Sequence, residues 1–360
     1  MADTNYGVNH PQAQKLFSKA LFHDVIGESY WGKFTGKSDS SLIQIKSETQ
    51  KDAGDKITFG LRALLSGAGV TEGTTLEGAE EAMVNYPDSV LINQLRHAVR
   101  SAGEMSEQRV PWSVREEARM ALKDWWIERT ETVMANQLTG NTGVSDTKYT
   151  GFNSTTAPTS GRLLIGNEHT AEGSLSATTT HAIKLADLDR AVAIAKTTSA
   201  TRQRIRPIKI AGKDHYVCFL HPDAIYQLRR DASTQGNLWD VLRSQLQGGD
   251  IKDNPLITGA MFMYNNVIVH EWSYLPTIVA TPASGSVANF RRGVFCGAQA
   301  AVAAFGQNGG PSKMSWSEKS FDYGDKLGVA AGMIFGMKKT VLNSVDFGTI
   351  VLSGYAPAQA

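Results

Sequence analysis

The chain of 360 residues has little cysteine and no long hydrophobic run, and both absences narrow what it can be. Its two cysteines, Cys218 and Cys296, are too few for a disulfide framework or a four-ligand zinc site, so we expect two buried thiols in a reducing interior. The longest apolar windows, around 298–305 and 328–337, fall far short of the ~20 residues that span a bilayer. Residues 1–10 carry neither a basic leader nor an apolar run, so the sequence predicts neither secretion nor membrane insertion.

An excess of charge of either sign is also missing. Thirty-six basic residues stand against thirty-five acidic ones, a formal net charge of +1. Nothing global therefore indicates electrostatic steering toward nucleic acid or an acidic partner, and any function that depends on charge must be local.

Phosphate-binding and nucleophile motifs are absent from the sequence. The glycines at 67, 69 and 73 have the wrong spacing for a dinucleotide-binding loop, and no Walker ending follows them. No G-x-S-x-G elbow is present. The loop around these glycines is better interpreted as an exposed tip.

The eight histidines form no clear metal-binding or catalytic pattern. His215 and His221 flank a predicted strand, which places their side chains too far apart to share a metal ion directly. His221 and Asp223 are better explained as the start of a helix. If the chain were an enzyme, His215 and Asp223 would be the first candidates for its cleft.

The clearest positive feature is one long helix in the middle of the chain. Ser113 and Glu116 have the spacing of a capping box, apolar residues then recur at helical intervals over 114–138, and Gly140 provides a helix end. At 1.5 Å per residue this helix is about 38 Å long, roughly twice the average length. Neighbouring residues on a helix point about 100° apart, so of Trp125 and Trp126 we expect one to face the core and the other a sheet or a neighbouring chain.

A long two-stranded flap precedes the helix. Ile57, Phe59 and Leu61 alternate with small or polar residues and would form one apolar face of a strand. A Gly/Thr/Ser/Glu-rich loop at 66–78 and a second extended stretch at 83–92 complete the flap. Such a hairpin is marginally stable unless something covers it, and a second copy of the chain is a plausible cover.

Strands and helices mix without βαβ alternation after the long helix, which favours the α+β class. Helices are predicted at 185–195, 222–229 and 238–246, with a strand at 215–220. An apolar strand pair is predicted at 261–271, interrupted by Asn265 and Asn266 as a turn.

Three arginines alternate near the middle of this second half. If 201–210 is a strand, Arg202, Arg204 and Arg206 lie on one face and Ile205 on the other. That face could bind phosphates, pair with acidic residues of a neighbouring subunit, or stay solvated. The residues alone leave these alternatives open.

The order and spacing of many short stretches resemble the major capsid proteins of tailed bacteriophages, in particular those of the N-four-like phages. No single stretch is specific, but together they extend from about Pro11 to about Ser353. The matching stretches are Pro11–Phe17, Ala53–Phe59, Leu76–Glu80, Leu138–Asn141, Phe219–Ala224, Leu228–Asp231, Asn254–Gly259, Tyr264–Glu271, Gly297–Ala300, Phe321–Gly324 and Gly336–Lys339.

The resemblance implies the HK97-like fold and a division of the chain. It predicts an N-terminal arm at 1–45, an extended loop at 46–88, a peripheral domain at 89–182 with its spine helix at 114–138, an axial domain at 183–315, and C-terminal strands at 316–360 that return to the peripheral domain. The arm and flap of one copy would lie on its neighbours, the flap over the spine-helix region.

The resemblance also implies the function. The chain would assemble into hexamers and pentamers that form an icosahedral head around double-stranded DNA, in a virion built in the cytoplasm of a bacterial host. It would have no catalytic residue, cofactor or metal, and its near-neutral charge would confine DNA without binding its sequence. Expected partners are further copies of the chain, a portal protein, a scaffolding protein, which would be a separate protein or a short removed leader, and an optional decoration or cement protein.

The interface candidates are the residues singled out above. Because the family assembles, subunit contact becomes the favoured role of the arginine face. The full set is Ile57, Phe59, Leu61, Trp125, Trp126, Arg202, Arg204 and Arg206. The rival functions are a cytoplasmic α+β enzyme with an unidentified cleft and a DNA-binding module that uses the Arg202/Arg204/Arg206 face.

Overall fold

The computed structural model describes residues 21, 24–46, 54–62, 65, 67–83, 85–111, 113–199, 203–210, 212–230, 261–306 and 314–358. Residues 1–20, 22 and 23 of the predicted arm, Arg202 and the predicted helix at 238–246 lie outside these residues. Within the described part of the chain, no helix is both long and apolar enough to cross a membrane.

The chain is a mixture of short strands and a few helices, as the α+β prediction required. The α-helices are α1 Glu104–Gln108, α2 Val114–Thr139, α3 Leu185–Lys196 and α4 Pro222–Arg230, with a further helical segment at 24–28 and a 3₁₀ turn at Trp31–Phe34. The strands are β1 Thr35–Gly36, β2 Ile43–Lys46, β3 Lys56–Arg62, β4 Asn85–Leu91, β5 Asn93–Arg100, β6 Leu163–Ile165, β7 Ile208–Ile210, β8 Lys213–Leu220, β9 Phe262–Tyr264, β10 Val267–Glu271, β11 Phe290–Cys296, β12 Ala301–Phe305, β13 Ser315–Phe321, β14 Lys326–Lys339, β15 Val341–Leu342, β16 Val345–Asp346 and β17 Thr349–Tyr355.

The long helix is confirmed as α2, which has 26 residues. Gly140 follows it with φ 62° and ψ 48°, the left-handed conformation that glycine adopts at little cost. The predicted capping box is wrong, because the Ser113 side chain makes no capping hydrogen bond. Ser113 is exposed, so water can satisfy the first amide groups of the helix without a side chain.

Burial changes along α2. In its first half the buried residues Ala118, Leu122 and Trp126 recur at every fourth position among exposed and partly buried ones, whereas nearly every residue from Thr130 to Gly140 is buried. The first half therefore buries one face and exposes the other, and the second half lies within the core. The first half has the single buried stripe of a surface helix, and the second half is buried on nearly all sides.

The first sheet joins distant parts of the chain. Its strands follow the order β1-β2-β12-β14-β13, and β5 also pairs with β14. The long strand β14 holds this sheet together by pairing antiparallel with β5, β12 and β13. α2 packs on β14, where Trp126 and Phe335 meet in a T-shaped contact with ring centroids 6.1 Å apart.

The second sheet has the order β6-β17-β11-β8-β10-β9, with β7 also paired to β8. Both cysteines lie in this sheet as buried free thiols, as predicted. The predicted turn is confirmed, since Asn265 and Asn266 both have positive φ between β9 and β10. The condition that 201–210 is a strand fails over the described residues 203–207. Pro207 has no amide hydrogen for a ladder, and β7 begins only at Ile208.

The C-terminal end of α2 is held by a buried ion pair. Arg292 of β11 donates from Nη1 to the carbonyl oxygens of Thr139 and Gly140, at 3.2 and 2.9 Å. The same guanidinium makes two hydrogen bonds of 2.7 Å to the carboxylate of Glu172. Burial alone would raise the pKa of Glu172, but the bonds and charge of Arg292 outweigh it and lower that pKa. A cation at this position therefore stabilises the helix end.

We predict that Arg292→Met lowers the free energy of unfolding by about 3–5 kcal/mol, because it leaves the Glu172 carboxylate buried without a counterion. Arg119→Met is the matched control: its partner Asp24 is 2.5 Å away, but both side chains are about one-third exposed, so the loss should stay below about 1 kcal/mol. Chemical denaturation measures both. Equal losses in the two variants would contradict a special role for the buried pair.

Candidate assembly surfaces

The base of the flap is covered by the chain itself. β3 and β4 pair antiparallel, with Ile57 opposite Val90. The side chains of Ile57, Phe59 and Leu61 are buried in one cluster with Val302, Ala304 and Leu342. This corrects the expectation that a second copy covers this apolar face: β12 already satisfies the hairpin's need for a cover. A contact of these residues with a neighbour stays a prediction. Phe59 and Leu61 also line the groove described below, whereas a contact through Ile57 would require this packing to open.

The tip of the flap, defined as residues 67–83, has no cover in the single chain. Every one of its residues is exposed. Leu76 and Met83 are 60% and 62% exposed, and Leu65 at the edge of the tip is 67% exposed. These exposed apolar side chains on one projecting loop make the tip a candidate contact surface. Sequence reasoning missed them because isolated apolar residues in a Gly/Thr/Glu-rich loop carry no periodic signal.

The two tryptophans of α2 divide as predicted. Trp126 is fully buried in the core. Trp125 is half-buried and stacks on His97 of β5, with ring centroids 4.3 Å apart, and the guanidinium of Arg129 lies 5.0 Å from its ring centroid. Trp125 thus faces the chain's own first sheet. A role for either ring at a subunit contact remains a prediction.

The arginines flank a groove at the base of the flap. Arg204 and Arg206 are exposed while Ile205 between them is buried, so the predicted alternation holds although this segment is not a strand. The groove has a volume of about 610 Å³ and is also lined by Lys46 and Phe59. We call it the arginine groove. Arg202 lies outside the described residues.

A buried carboxylate joins three parts of the molecule. Glu131 of α2 is 1% exposed and receives the Nε1–H of Trp272 at 2.5 Å. Its other oxygen accepts the backbone N–H of Tyr30 and, at 3.4 Å, that of Trp31. Glu131 therefore connects α2 to Tyr30 and Trp31, which follow the helical segment at 24–28, and to Trp272, which follows β10.

Burial sets the protonation of this carboxylate. Removal from water raises the pKa of Glu131 to about 7, and the N–H donors together with the charge of Lys33 oppose the rise without cancelling it. Near neutral pH the Glu131 side chain is therefore present in both its charged and its neutral form. Sequence reasoning did not find Glu131, because a single glutamate on a long helix looks like any solvated residue.

The residues proposed for the rival enzyme do not form a site together. Asp223 at the start of α4 interacts with His221, at 3.1 Å, and with Arg291, at 3.5 Å. His215 is buried in β8 and is not among these partners. Over the described ranges, no group of three or more His, Cys, Asp or Glu side chains is placed to hold a metal ion.

The chain resembles proteins of known role along nearly its whole length. The model of a family described as phage capsid protein matches residues 5–358. The major capsid protein of Pseudomonas phage KPP25 is 27% identical over 382 aligned positions, covering 96% of both proteins.

Solved structures extend this likeness to the fold. The capsid of Ralstonia phage GP4 superposes with a TM-score of 0.80 at 31% identity, covering 100% of both chains. The capsid of cyanophage Pam1 superposes with a TM-score of 0.70 over 93% of this chain and 94% of that one. At 20% identity the second likeness supports the fold alone.

We predict a pH dependence of stability that originates at Glu131. Its pKa is about 7 when folded and near 4.5 when unfolded, so the folded state binds the extra proton between these values. The free energy of unfolding should therefore fall as the pH rises from about 4.5 to 7, by up to about 3 kcal/mol. Chemical denaturation of the wild type and of Glu131→Gln at pH 5 and pH 8 measures the difference.

The variant should lose this part of the pH dependence, because a glutamine side chain does not titrate. Tyr30, Lys33, His270, Glu271 and Tyr274 surround the site in both proteins, and the raised pKa values of Tyr30 and Tyr274 keep both tyrosines protonated between pH 5 and pH 8. Parallel profiles for the two proteins would contradict the assignment.

Proposed function

The chain belongs to the phage capsid protein family, and we infer from this premise that it is the major capsid protein of a tailed bacteriophage. Its fold is the HK97-like capsid fold, and its place is the capsid of the virion. Copies of the chain associate into capsomers, and capsomers close the icosahedral head. We propose hexamers and pentamers as those capsomers, assembled in the bacterial cytoplasm around double-stranded DNA.

The exposed tip of the flap is the observation that supports assembly from within the molecule. A folded monomer gains nothing from holding Leu76 and Met83 in water. A neighbouring copy would bury them without rearranging the core, because the base of the flap is already anchored on β12. Each such contact is small, and the repetition of many contacts makes a shell stable.

The domain division can be drawn along the two sheets. We propose that the peripheral domain is built on the first sheet with α2, and the axial domain on the second sheet with α3 and α4. The pairing of β12 with β2 and β14 supports placing β12 in the peripheral domain, although it falls in the predicted axial segment 183–315. The pairing of β17 with β11 and β6 supports assigning the last strand to the axial domain.

The remaining partners follow from the role of a shell. We propose a portal protein, a scaffolding protein and an optional decoration protein as partners, and no catalytic activity of the shell protein itself. The formal net charge of +1 supports a surface that confines DNA without holding it, since tight phosphate binding would hinder packaging. Tight binding of duplex DNA by the purified protein at moderate salt would contradict this proposal.

We predict that Leu76→Ser combined with Met83→Ser prevents shell formation and leaves the fold intact. Both side chains are about 60% exposed, so their loss should change the free energy of unfolding by less than about 0.5 kcal/mol. Size-exclusion chromatography and negative-stain microscopy, on protein made alone and together with its phage's other head proteins, measure assembly. Tyr323→Ser, which removes a fully exposed aromatic side chain outside the flap, is the control.

The assembly state distinguishes the double variant from the wild type and the control. Wild-type protein and the Tyr323→Ser control should form capsomers or shells, whereas the double variant should remain small. Normal shells from the double variant would show that the flap tip is not an assembly contact. A wild type that stays monomeric under every condition would contradict the capsid function itself.

A further inference from the structure

The arginine groove concentrates positive charge. Arg204, Arg206 and Lys46 line it, and among its described lining residues the one carboxylate is that of Asp39. The Nε2 of Gln44 donates to Asp39 Oδ1 at 3.0 Å, and Arg206 Nη2 donates to the Asp39 carbonyl oxygen rather than to the carboxylate. Phe59 adds an apolar surface, with the Lys46 ammonium 5.6 Å from its ring centroid.

These cations lack an acidic partner in the described part of the chain. No salt bridge there joins Arg204, Arg206 or Lys46 to a carboxylate. The basic residues on the first half of α2 differ in this respect. Arg115, Arg119 and Lys123 are paired with Glu318, Asp24 and Glu28 at 2.7, 2.5 and 3.0 Å. Uncompensated positive charge is therefore found at the groove and not on these helix residues.

The tip of the flap has the complementary charge. Four glutamates lie between residues 67 and 83, and no lysine or arginine occurs between Arg62 and Arg96. Glu72 and Glu77 are exposed, and the exposed apolar residues Leu76 and Met83 belong to the same tip. An acidic tip with apolar residues matches a basic groove that has an aromatic wall.

The reach of the flap fits a contact between neighbours. Each strand has seven residues, about 24 Å at 3.4 Å per residue, and the loop beyond them can extend the tip to about 50 Å from the base. A compact chain of this length has a radius of gyration of about 21 Å and hence a width of about 50 Å. The tip can therefore reach across one neighbouring copy.

We propose that the acidic flap tip of one copy docks in the arginine groove of the next copy. This inference rests on the proposed capsid function and names the contact through which successive subunits join. The tip and the groove are different surfaces, so the contact is head to tail, and such contacts generate closed rings when the rotation between copies closes. One contact type thus builds the rings that capsomers require.

Charge reversal with rescue tests the proposal. Arg204→Glu with Arg206→Glu should lower the yield of capsomers by about tenfold or more, and Glu72→Lys with Glu77→Lys should do the same. The four changes together restore opposite charges and should recover most of the wild-type yield. Lys209→Glu, a charge reversal at an exposed lysine on β7 three residues after Arg206, is the matched control and should assemble normally.

Cross-linking supplies a second measurement that keeps the wild-type charges. Thr75→Cys with Gln203→Cys places one thiol on the tip and one at the groove, while Cys218 and Cys296 are buried. A short bismaleimide should give a ladder of covalent oligomers that ends at the capsomer size, and either cysteine alone should give none. Absence of the ladder from assembled protein would overturn the proposal.

Each of the remaining outcomes would overturn the groove contact. Wild-type shells together with reversed variants that assemble normally, or with failed rescue, would overturn the groove contact and leave the capsid function standing. If the arginine reversal abolished retention of a short duplex DNA without lowering capsomer yield, the groove would bind phosphate backbone and the proposal would be wrong. If charge reversal of Arg115 and Arg119 alone blocked assembly, the flap would lie on the helix instead.

Discussion

The structure depends on how the second half of the long helix α2 is buried together with its polar groups. A helix end in the core leaves carbonyl oxygens that water cannot reach. Arg292 supplies the missing donors, and Glu172 accepts the other N–H groups of the same guanidinium. Earlier in the same buried half, Glu131 accepts N–H groups from the segment after the arm and from Trp272. Each of these buried polar groups is satisfied by a segment that is distant in sequence. The hydrogen bonds therefore also hold those segments against the helix.

The same arrangement separates a packed core from the surfaces that remain available for contact with other copies. The core half of α2, β14 and the flap base form one packed body, in which the apolar face of the flap is covered by β12. The flap tip and the arginine groove remain outside it. A shell protein needs this separation, because the subunit must keep its shape while its contacts adapt to rings of different size.

Much of this architecture is predictable from local patterns. The helix at 114–139, the hairpin on either side of the tip and the Asn265–Asn266 turn all follow from spacing and from the conformational preferences of glycine and asparagine. The capping box at Ser113 was wrong because an exposed helix start does not need it. The role of Ile57, Phe59 and Leu61 was incomplete, since a pattern shows that a face is apolar but not which surface covers it.

The amino-acid sequence by itself determined the long helix, the flap before it, the α+β class and the family. These properties depend on residues close together in the chain or on the order of many short stretches. Only the tertiary structure decided that β12 covers the flap, that Glu131 has a pKa of about 7, and that Arg204 and Lys46 share a groove. The reason is physical: burial and electrostatic environment depend on groups that are distant in the chain, and only folding brings those groups together.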